Sequence, residues 1–138
     1  MVVINKPIAV NDVRRFVAEE LKATGFDKPG SSDVLVAVCE AVTNSVLHGQ
    51  SPDGEDNNIR VGCFIEDSFF KVAISDSGIG YNPNLSAWRP PDLVRDRGRG
   101  IYLMQRLMDD VKFVARDRGV TIILSRKLPD SCDENRWM

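Results

Sequence analysis

Three polar patches occur in a fixed order along a chain that is otherwise rich in apolar segments. They are, in chain order, Glu40-x-x-x-Asn44, Asp76-x-Gly78-x-Gly80 and Gly98-Arg99-Gly100. The first pairs an acid with an amide at helical spacing, the second places an acid and glycines after an apolar run, and the third places glycines before another apolar run. Each patch alone has an ordinary structural explanation, so their occurrence together carries the chemical interpretation.

The first patch combines a proton acceptor with a metal ligand. Glu40, Asn44 and His48 recur every four residues, so one face of a helix would carry all three. The amide oxygen of Asn44 suits a hard cation such as Mg²⁺, and Glu40 could accept a proton from a nucleophile that attacks a phosphate. The alternative is a solvated stripe with an incidental acid-amide pair. For His48, at the helix end, we expect a capping or surface role.

The second patch would suit a flat heterocycle. Asp76 ends an apolar run, and the glycines that follow, Gly78 and Gly80, would let a ring approach the backbone. A carboxylate there can accept a hydrogen bond from an adenine amino group, which contributes roughly 1.5–3 kcal/mol. The alternative is an ordinary turn, since acid-serine-glycine is common turn chemistry.

The third patch would suit a phosphate group. Gly98 and Gly100 precede a helix predicted from near Ile101, where exposed N–H groups and the helix dipole favour anions. Arg97 and Arg99 add cations that can meet phosphate oxygens. The alternative is a flexible basic loop, and no Gly-x-x-x-x-Gly-Lys-Ser/Thr motif is present.

The elements that must position these patches follow from periodicity and turn residues. The pattern predicts, in chain order, a strand at Val2–Ile8, a helix at Asn11–Ala23 capped by Asn11, a turn at Pro29–Ser32, a helix at Asp33–His48 capped by Ser31 or Ser32, a loop at Gln50–Asn58, a hairpin of Ile59–Ile65 and Phe69–Ser75, a long loop at Asp76–Gly98, a helix at Ile101–Met108 and a hairpin of Val111–Ala115 and Val120–Leu128. Strands grouped in hairpins favour an α+β two-layer sandwich, with a mixed, mostly antiparallel sheet and helices on one face.

Composition limits the alternatives. A length of 138 residues suits one domain, predicted at 1–128 with a polar, flexible tail at 129–138. The net charge of -2 offers no basic face for nucleic acid, and no apolar run approaches a membrane span or a signal peptide, so we expect a cytoplasmic protein. The three cysteines are widely spaced and fit reduced thiols, with Cys39 and Cys63 expected as small core residues.

Read together, the patches resemble the ATP-binding (Bergerat-fold) domain of the GHKL superfamily, and most closely that of anti-sigma-factor serine kinases of partner-switching systems. The matching boxes are EAVTNSVLHG at 40–49, DSGIG at 76–80, and GRGIYLM at 98–104 followed by LMD at 107–109. The resemblance implies that Glu40 is the general base, Asn44 the Mg²⁺ ligand and Asp76 the adenine anchor. It also implies a nucleotide site, which would comprise Asn44, Asp76, Gly78, Gly80, Arg97, Gly98, Arg99, Gly100 and Ile101.

The resemblance further implies cofactors and partners. ATP and Mg²⁺ would be bound, and a serine or threonine on a STAS-domain antagonist would be phosphorylated. The unphosphorylated antagonist would hold this chain and free a sigma factor or another effector. We also expect a homodimer that binds no nucleic acid and no membrane.

One departure from the superfamily lies in the last predicted hairpin. A Gly-Thr pair is common there, whereas here Gly119 is followed by Val120, with Thr121 one place later. Because strand side chains alternate between faces, Thr121 cannot replace the missing hydroxyl. Three alternatives to a serine kinase stay open: a nucleotide-gated binding protein without phosphoryl transfer, the catalytic part of a histidine kinase, and an ATPase of the repair or chaperone branches.

Overall fold

Five strands and three helices form the described part of the chain. The computed structural model describes residues 1–4, 6–48, 58–76, 100–115 and 119–130. In chain order the elements are β1 (Val2–Ile4), α1 (Ala9–Leu21), α2 (Lys28–His48), β2 (Asn58–Glu66), β3 (Phe69–Asp76), α3 (helical at 100–107), β4 (Asp110–Ala115) and β5 (Val120–Lys127). Of the predicted loop at Gln50–Asn58, residues 50–57 lie outside the described residues and Asn58 begins β2. Most of the predicted loop at 76–98 and the predicted tail from 131 also lie outside the described residues.

The strands form one sheet in the order β1-β2-β3-β5-β4, and each of these neighbouring pairs is antiparallel. The β2–β3 hairpin turns at Asp67 and Ser68, whose φ angles are 55° and 68°. Positive φ at both turn positions matches the right-handed twist of the flanking strands. The predicted α+β class and both predicted hairpins are confirmed.

Helices cover one face of this sheet. On β3 the alternate residues Phe70, Val72 and Ile74 are fully buried, and they belong to one core with Val38 and Val42 of α2. Phe64 on β2 and Val114 on β4 belong to the opposite face and remain exposed. The period-two burial therefore separates a helix-covered face from an open face, which is the expected two-layer arrangement.

Helix α1 begins earlier than the sequence predicted. Its first residue is Ala9, and Asn11 is inside the helix rather than at its cap. Successive turn bonds from the N–H groups of Ala9, Val10 and Asn11 to carbonyls three residues earlier lead into the helix through Ile8, the N-cap, which has helical backbone angles and no side-chain cap. Pro7 fits this leading turn because its fixed φ is compatible with a helix.

Helix α2 also begins earlier, and the predicted turn at Pro29–Ser32 is wrong. The helix starts at Lys28, and the Asp27 carboxylate accepts a hydrogen bond from the Gly30 N–H at 2.7 Å. Asp27 is therefore the cap, in place of Ser31 or Ser32. Pro29 fits the first turn because the N–H that it lacks would have had no partner within the helix.

The described helices include no segment long and apolar enough to cross a membrane. Both described cysteines, expected as small core residues, are only half-buried. Cys63 packs against the core, whereas Cys39 lines a groove beside Glu40.

Candidate functional site

Helix α2 carries the acid and the amide of the first patch one turn apart. Asn44 exposes only 4% of its surface, and its Nδ2 atom has no hydrogen-bond partner among the described residues. Glu40 is half-buried. A buried amide without a partner costs about 1–3 kcal/mol. Its retention in this position indicates a site that a ligand completes.

The third patch contacts the first patch at Gly100, which is the first described residue of α3. Gly100 is buried, and a Cβ atom at this position would lie 2.9 Å from Glu40 Oε2 and 4.0 Å from Asn44 Oδ1. A larger residue at position 100 would push the Glu40 carboxylate aside, so glycine lets this part of α3 lie close against the carboxylate and the amide. Ile101 follows with a fully buried side chain, so its backbone N–H is the group it can offer to a phosphate.

Asp76 ends β3 and is held by the β4–β5 hairpin. Its Oδ1 atom accepts a hydrogen bond from the Val120 N–H at 3.1 Å. Gly119 lies against the same residue with a φ of +83°, and a Cβ atom there would fall 2.7 Å from Asp76 Oδ1. Gly119 was not among the predicted site residues, although its place before an apolar strand is a usable turn signal.

Thr121 does not contribute to this carboxylate. Its Oγ1 atom lies 2.8 Å from Ser75 Oγ, in register across β3 and β5. Because adjacent strand residues point to opposite faces, Asp76 shares the helix-covered face with the Val120 side chain, and Thr121 points to the other face. The sequence-based conclusion that Thr121 cannot stand in for the usual hydroxyl is confirmed.

The structure thus brings Glu40, Asn44 and Gly100 together and places Asp76 on the sheet face that α2 covers. The remaining predicted site residues, Gly78, Gly80, Arg97, Gly98 and Arg99, lie outside the described residues, as does the side chain of His48. The described residues contain no cluster of three or more acidic, histidine or cysteine ligands. The amide oxygen of Asn44 is the kind of ligand that would suit Mg²⁺, which keeps waters and needs few protein ligands.

A groove of about 370 Å³ adjoins Glu40 on the outer side of α2. Its lining includes Arg14 from α1 together with Lys28, Leu35, Cys39 and Glu40 from α2. Burial raises the pKa of Cys39, the Arg14 charge acts in the opposite direction, and the Glu40 charge raises it further. Arg14 was not predicted as a site residue, because only the packing of α1 on α2 places it here.

The two-layer fold is shared with solved RsbW and histidine kinase domains, and the family match identifies the class of domain. The model of the histidine kinase-like ATPase domain family matches residues 3–126, so the chain belongs to this family. The match includes all three polar patches.

Curated relatives are similar over most of their length. The chain is 36% identical to the anti-sigma F factor of Clostridium novyi over 103 residues, an alignment that covers 70% of this chain and 71% of the relative. It is 30% identical to the serine-protein kinase RsbW of Oceanobacillus iheyensis over 137 residues, an alignment that covers 91% of this chain and 83% of the relative. The corresponding kinase of Listeria monocytogenes is also 30% identical, over 129 residues covering 88% and 81%.

Solved structures share the fold. A Mycobacterium tuberculosis structure of RsbU and RsbW domains aligns with a TM-score of 0.66 at 18% identity, over 96% of this chain but only 33% of that one. The histidine kinase domain of a blue-light activated kinase from Erythrobacter litoralis aligns with a TM-score of 0.56 at 13% identity, over 72% of this chain and 45% of that one.

Proposed function

We propose that this protein is an ATP-dependent serine/threonine protein kinase that also acts as a switch, holding one of two partner proteins at a time. The observation that carries the proposal is the convergence of Glu40, Asn44 and Gly100 of α3 on one point. A general base, an amide ligand and the backbone N–H groups of a helix N-terminus can act together in phosphoryl transfer. The names of the relatives support the same reading.

The nucleotide would lie between the sheet end and α2. Asp76 would accept a hydrogen bond from the adenine amino group, with the Val120 N–H fixing the orientation of the carboxylate. The start of α3 would donate backbone N–H groups to phosphate oxygens, assisted by Arg97 and Arg99. Asn44 would hold Mg²⁺, which when bound neutralises charge that develops on the β- and γ-phosphates.

Glu40 would act on the protein substrate. Its carboxylate accepts the proton of a serine or threonine hydroxyl while the hydroxyl oxygen forms a bond to the γ-phosphorus. The bond from that phosphorus to the β–γ bridging oxygen breaks, and ADP leaves with the electron pair. The groove beside Glu40 gives the acceptor segment a route to the carboxylate, because Glu40 is part of its lining.

The partners follow from the resemblance and from the relatives. The acceptor would be a STAS-domain antagonist, and the second partner a sigma factor or another effector, since one relative is named an anti-sigma factor. Phosphorylation adds charge to the antagonist and would release it, so the effector could be bound again. A homodimer is part of this proposal.

The test is a capture experiment followed by a transfer assay. The purified chain is used to isolate bound protein from a lysate of its source with ADP or ATP, the bound protein is identified by mass, and its labelling from γ-labelled ATP is measured. Glu40→Gln should slow transfer by about 10²–10⁴-fold, the usual contribution of a general base. Glu66→Gln is the matched control, because Glu66 lies at an exposed hairpin end.

The outcomes separate the alternatives. Acid-stable label on a serine or threonine supports the proposal, and acid-labile label would indicate a histidine kinase instead. ATP-dependent capture without any transfer would identify a nucleotide-gated binding protein. Equal rates for wild type and Glu40→Gln would show that Glu40 is not the base.

A further inference from the structure

Arg126 joins three elements at the end of the sheet away from the polar patches. It lies on β5, and its Nη1 atom donates to Asp33 Oδ2 on α2 at 3.1 Å and to the Leu107 carbonyl of α3 at 2.6 Å. The Arg126 side chain exposes only 27% of its surface. One guanidinium nitrogen therefore ties the first turns of α2 to the last turn of α3.

The contacts of Arg126 with Asp33 and Leu107, here called the Arg126 junction, lie the same number of residues from the site on both helices. Asp33 precedes Glu40 by seven residues, and Leu107 follows Gly100 by seven residues. Seven helical residues make two turns, or about 10.5 Å. Helices α2 and α3 thus run antiparallel beside each other, with the Gly100–Glu40 contact at one end and Arg126 at the other.

The junction also satisfies groups that a helix end leaves unpaired. The Leu107 carbonyl is in the last turn of α3, where carbonyls lack partners within the helix and a cation is favourable. The chain just after α3 is fixed to β5 as well: the Asp109 N–H donates to the Ser125 carbonyl, and the Lys127 N–H donates to the Asp109 carboxylate at 2.7 Å. The C-terminal end of α3 is consequently fixed both in position and in direction.

We propose that Arg126 is a positioning residue for nucleotide phosphates. By fixing the far end of α3 against α2, it holds Gly100 on Glu40 and Asn44, so that the start of α3 meets the phosphate groups in the correct place. A displacement of about 1 Å at reacting groups can cost about 10²-fold in rate, so a rigid support two turns away is effective. This inference rests on the proposed nucleotide site and adds a residue that no sequence motif marks.

The test compares Arg126→Ala and Arg126→Lys with wild type and with Lys127→Ala. Lys127 is the adjacent, exposed residue of β5, which makes it the matched control. Two quantities are measured: amide hydrogen exchange of residues 100–107 without nucleotide, and the Kd for ADP with Mg²⁺ by calorimetry. Arg126→Ala should speed exchange in this segment and weaken ADP binding about tenfold or more. Arg126→Lys should recover part of both, because an ammonium group keeps the charge and can still donate.

A second comparison shows whether Arg126 acts through the contact between Gly100 and Glu40. In a Gly100→Ala background this contact is already displaced, so adding Arg126→Ala should weaken ADP binding much less than it does in wild type. Equal losses in the two backgrounds would overturn the inference, and so would unchanged exchange and affinity in Arg126→Ala. A wild-type chain that binds no ADP would instead contradict the proposed function, while the exchange measurement would still test the junction.

Discussion

Gly119 and Asp76 approach each other more closely than any residue other than glycine would allow. A Cβ atom at position 119 would lie 2.7 Å from Asp76 Oδ1 and closer still to the Asp76 carbonyl oxygen, and the φ of Gly119 is +83°. The next residue, Val120, donates its N–H to the same carboxylate. The turn before β5 is therefore built around Asp76, and the aspartate depends on that turn for its orientation.

Gly119→Ala should damage both the fold and the nucleotide site. The left-handed φ alone costs an alanine about 1–2 kcal/mol, and the contact with Asp76 adds to this loss. Urea unfolding should show the loss of stability, and calorimetry with ADP should show weaker binding. Gly62→Ala is the matched control, because a Cβ atom there would meet nothing within 4 Å. Similar stability for the two variants would contradict the expected close approach.

Asp76→Asn should weaken nucleotide binding with little change in stability, because it removes the charge and keeps a hydrogen-bond acceptor. The new amide oxygen can still accept the Val120 N–H, so the unfolding midpoint should change little. The charge-assisted bond to adenine would be lost, with an expected weakening of ADP binding of about 1.5–3 kcal/mol, or roughly 10-fold to 150-fold. Asp110→Asn, at an exposed position of β4, is the control. Unchanged ADP affinity in Asp76→Asn would exclude the assigned role of the carboxylate.

The sequence predicted both hairpins of the sheet well because local signals determine them, but the first strand, predicted at Val2–Ile8, ends at Ile4. Alternating apolar residues and short polar turns identify both hairpins, and the register that follows places Asp76 at the end of β3. The helix starts were less accurate, since the cap is set by competition among nearby polar residues. At α2, Asp27 caps the helix, so the proline and glycine that resemble a turn become part of its first turn.

The polar patches were also predictable, but the contacts that support them were not. Glu40 and Asn44 are apparent from their spacing, whereas Arg126 reaches Asp33 across 93 residues of sequence. Such a contact depends on the packing of α2, α3 and β5 together, so the spacing of apolar and polar residues within one element does not predict it. The same holds for Arg14, which joins Glu40 in one groove only because α1 packs on α2.

Stability at alkaline pH should depend on Cys63. Burial raises the pKa of this thiol to about 12 from 9.0, and the Glu20 charge contributes in the same direction. Since the folded pKa lies above the unfolded one, this contribution to stability is complete below pH 9.0 and is lost as the pH rises toward about 12. The corresponding slope is up to about 1.4 kcal/mol per pH unit.

The measurement compares the free energy of unfolding of wild type and Cys63→Ala at several pH values between 8 and 11. Tyrosines and lysines titrate in the same range in both proteins, so the informative quantity is the difference between the two. That difference should shrink as the pH rises. A constant difference would show that the folded and unfolded proteins titrate this thiol alike.

Gly100→Ala should lower catalysis while leaving the fold stable. The clashing atom is the end of a flexible glutamate side chain, which can move aside. The unfolding midpoint should therefore change little. Phosphoryl transfer should fall by about 10²-fold, because Glu40 must move away from its position. Gln105→Ala on the exposed side of α3 is the control, and transfer at the wild-type rate in Gly100→Ala would show that the contact is not needed.

Charge reversal in the groove should weaken recognition of the acceptor without changing nucleotide binding. Arg14 lines the groove beside Glu40, while its exposed neighbour Arg15 does not, so the two positions on α1 form a matched pair. If an acidic acceptor segment enters the groove, Arg14→Glu should reduce acceptor binding by about 2 kcal/mol or more, roughly 30-fold, as for other arginines central to interfaces. Arg15→Glu should change it little. The Kd for ADP should match wild type in both variants, and equal acceptor binding by the two variants would show that the acceptor approaches Glu40 from another side.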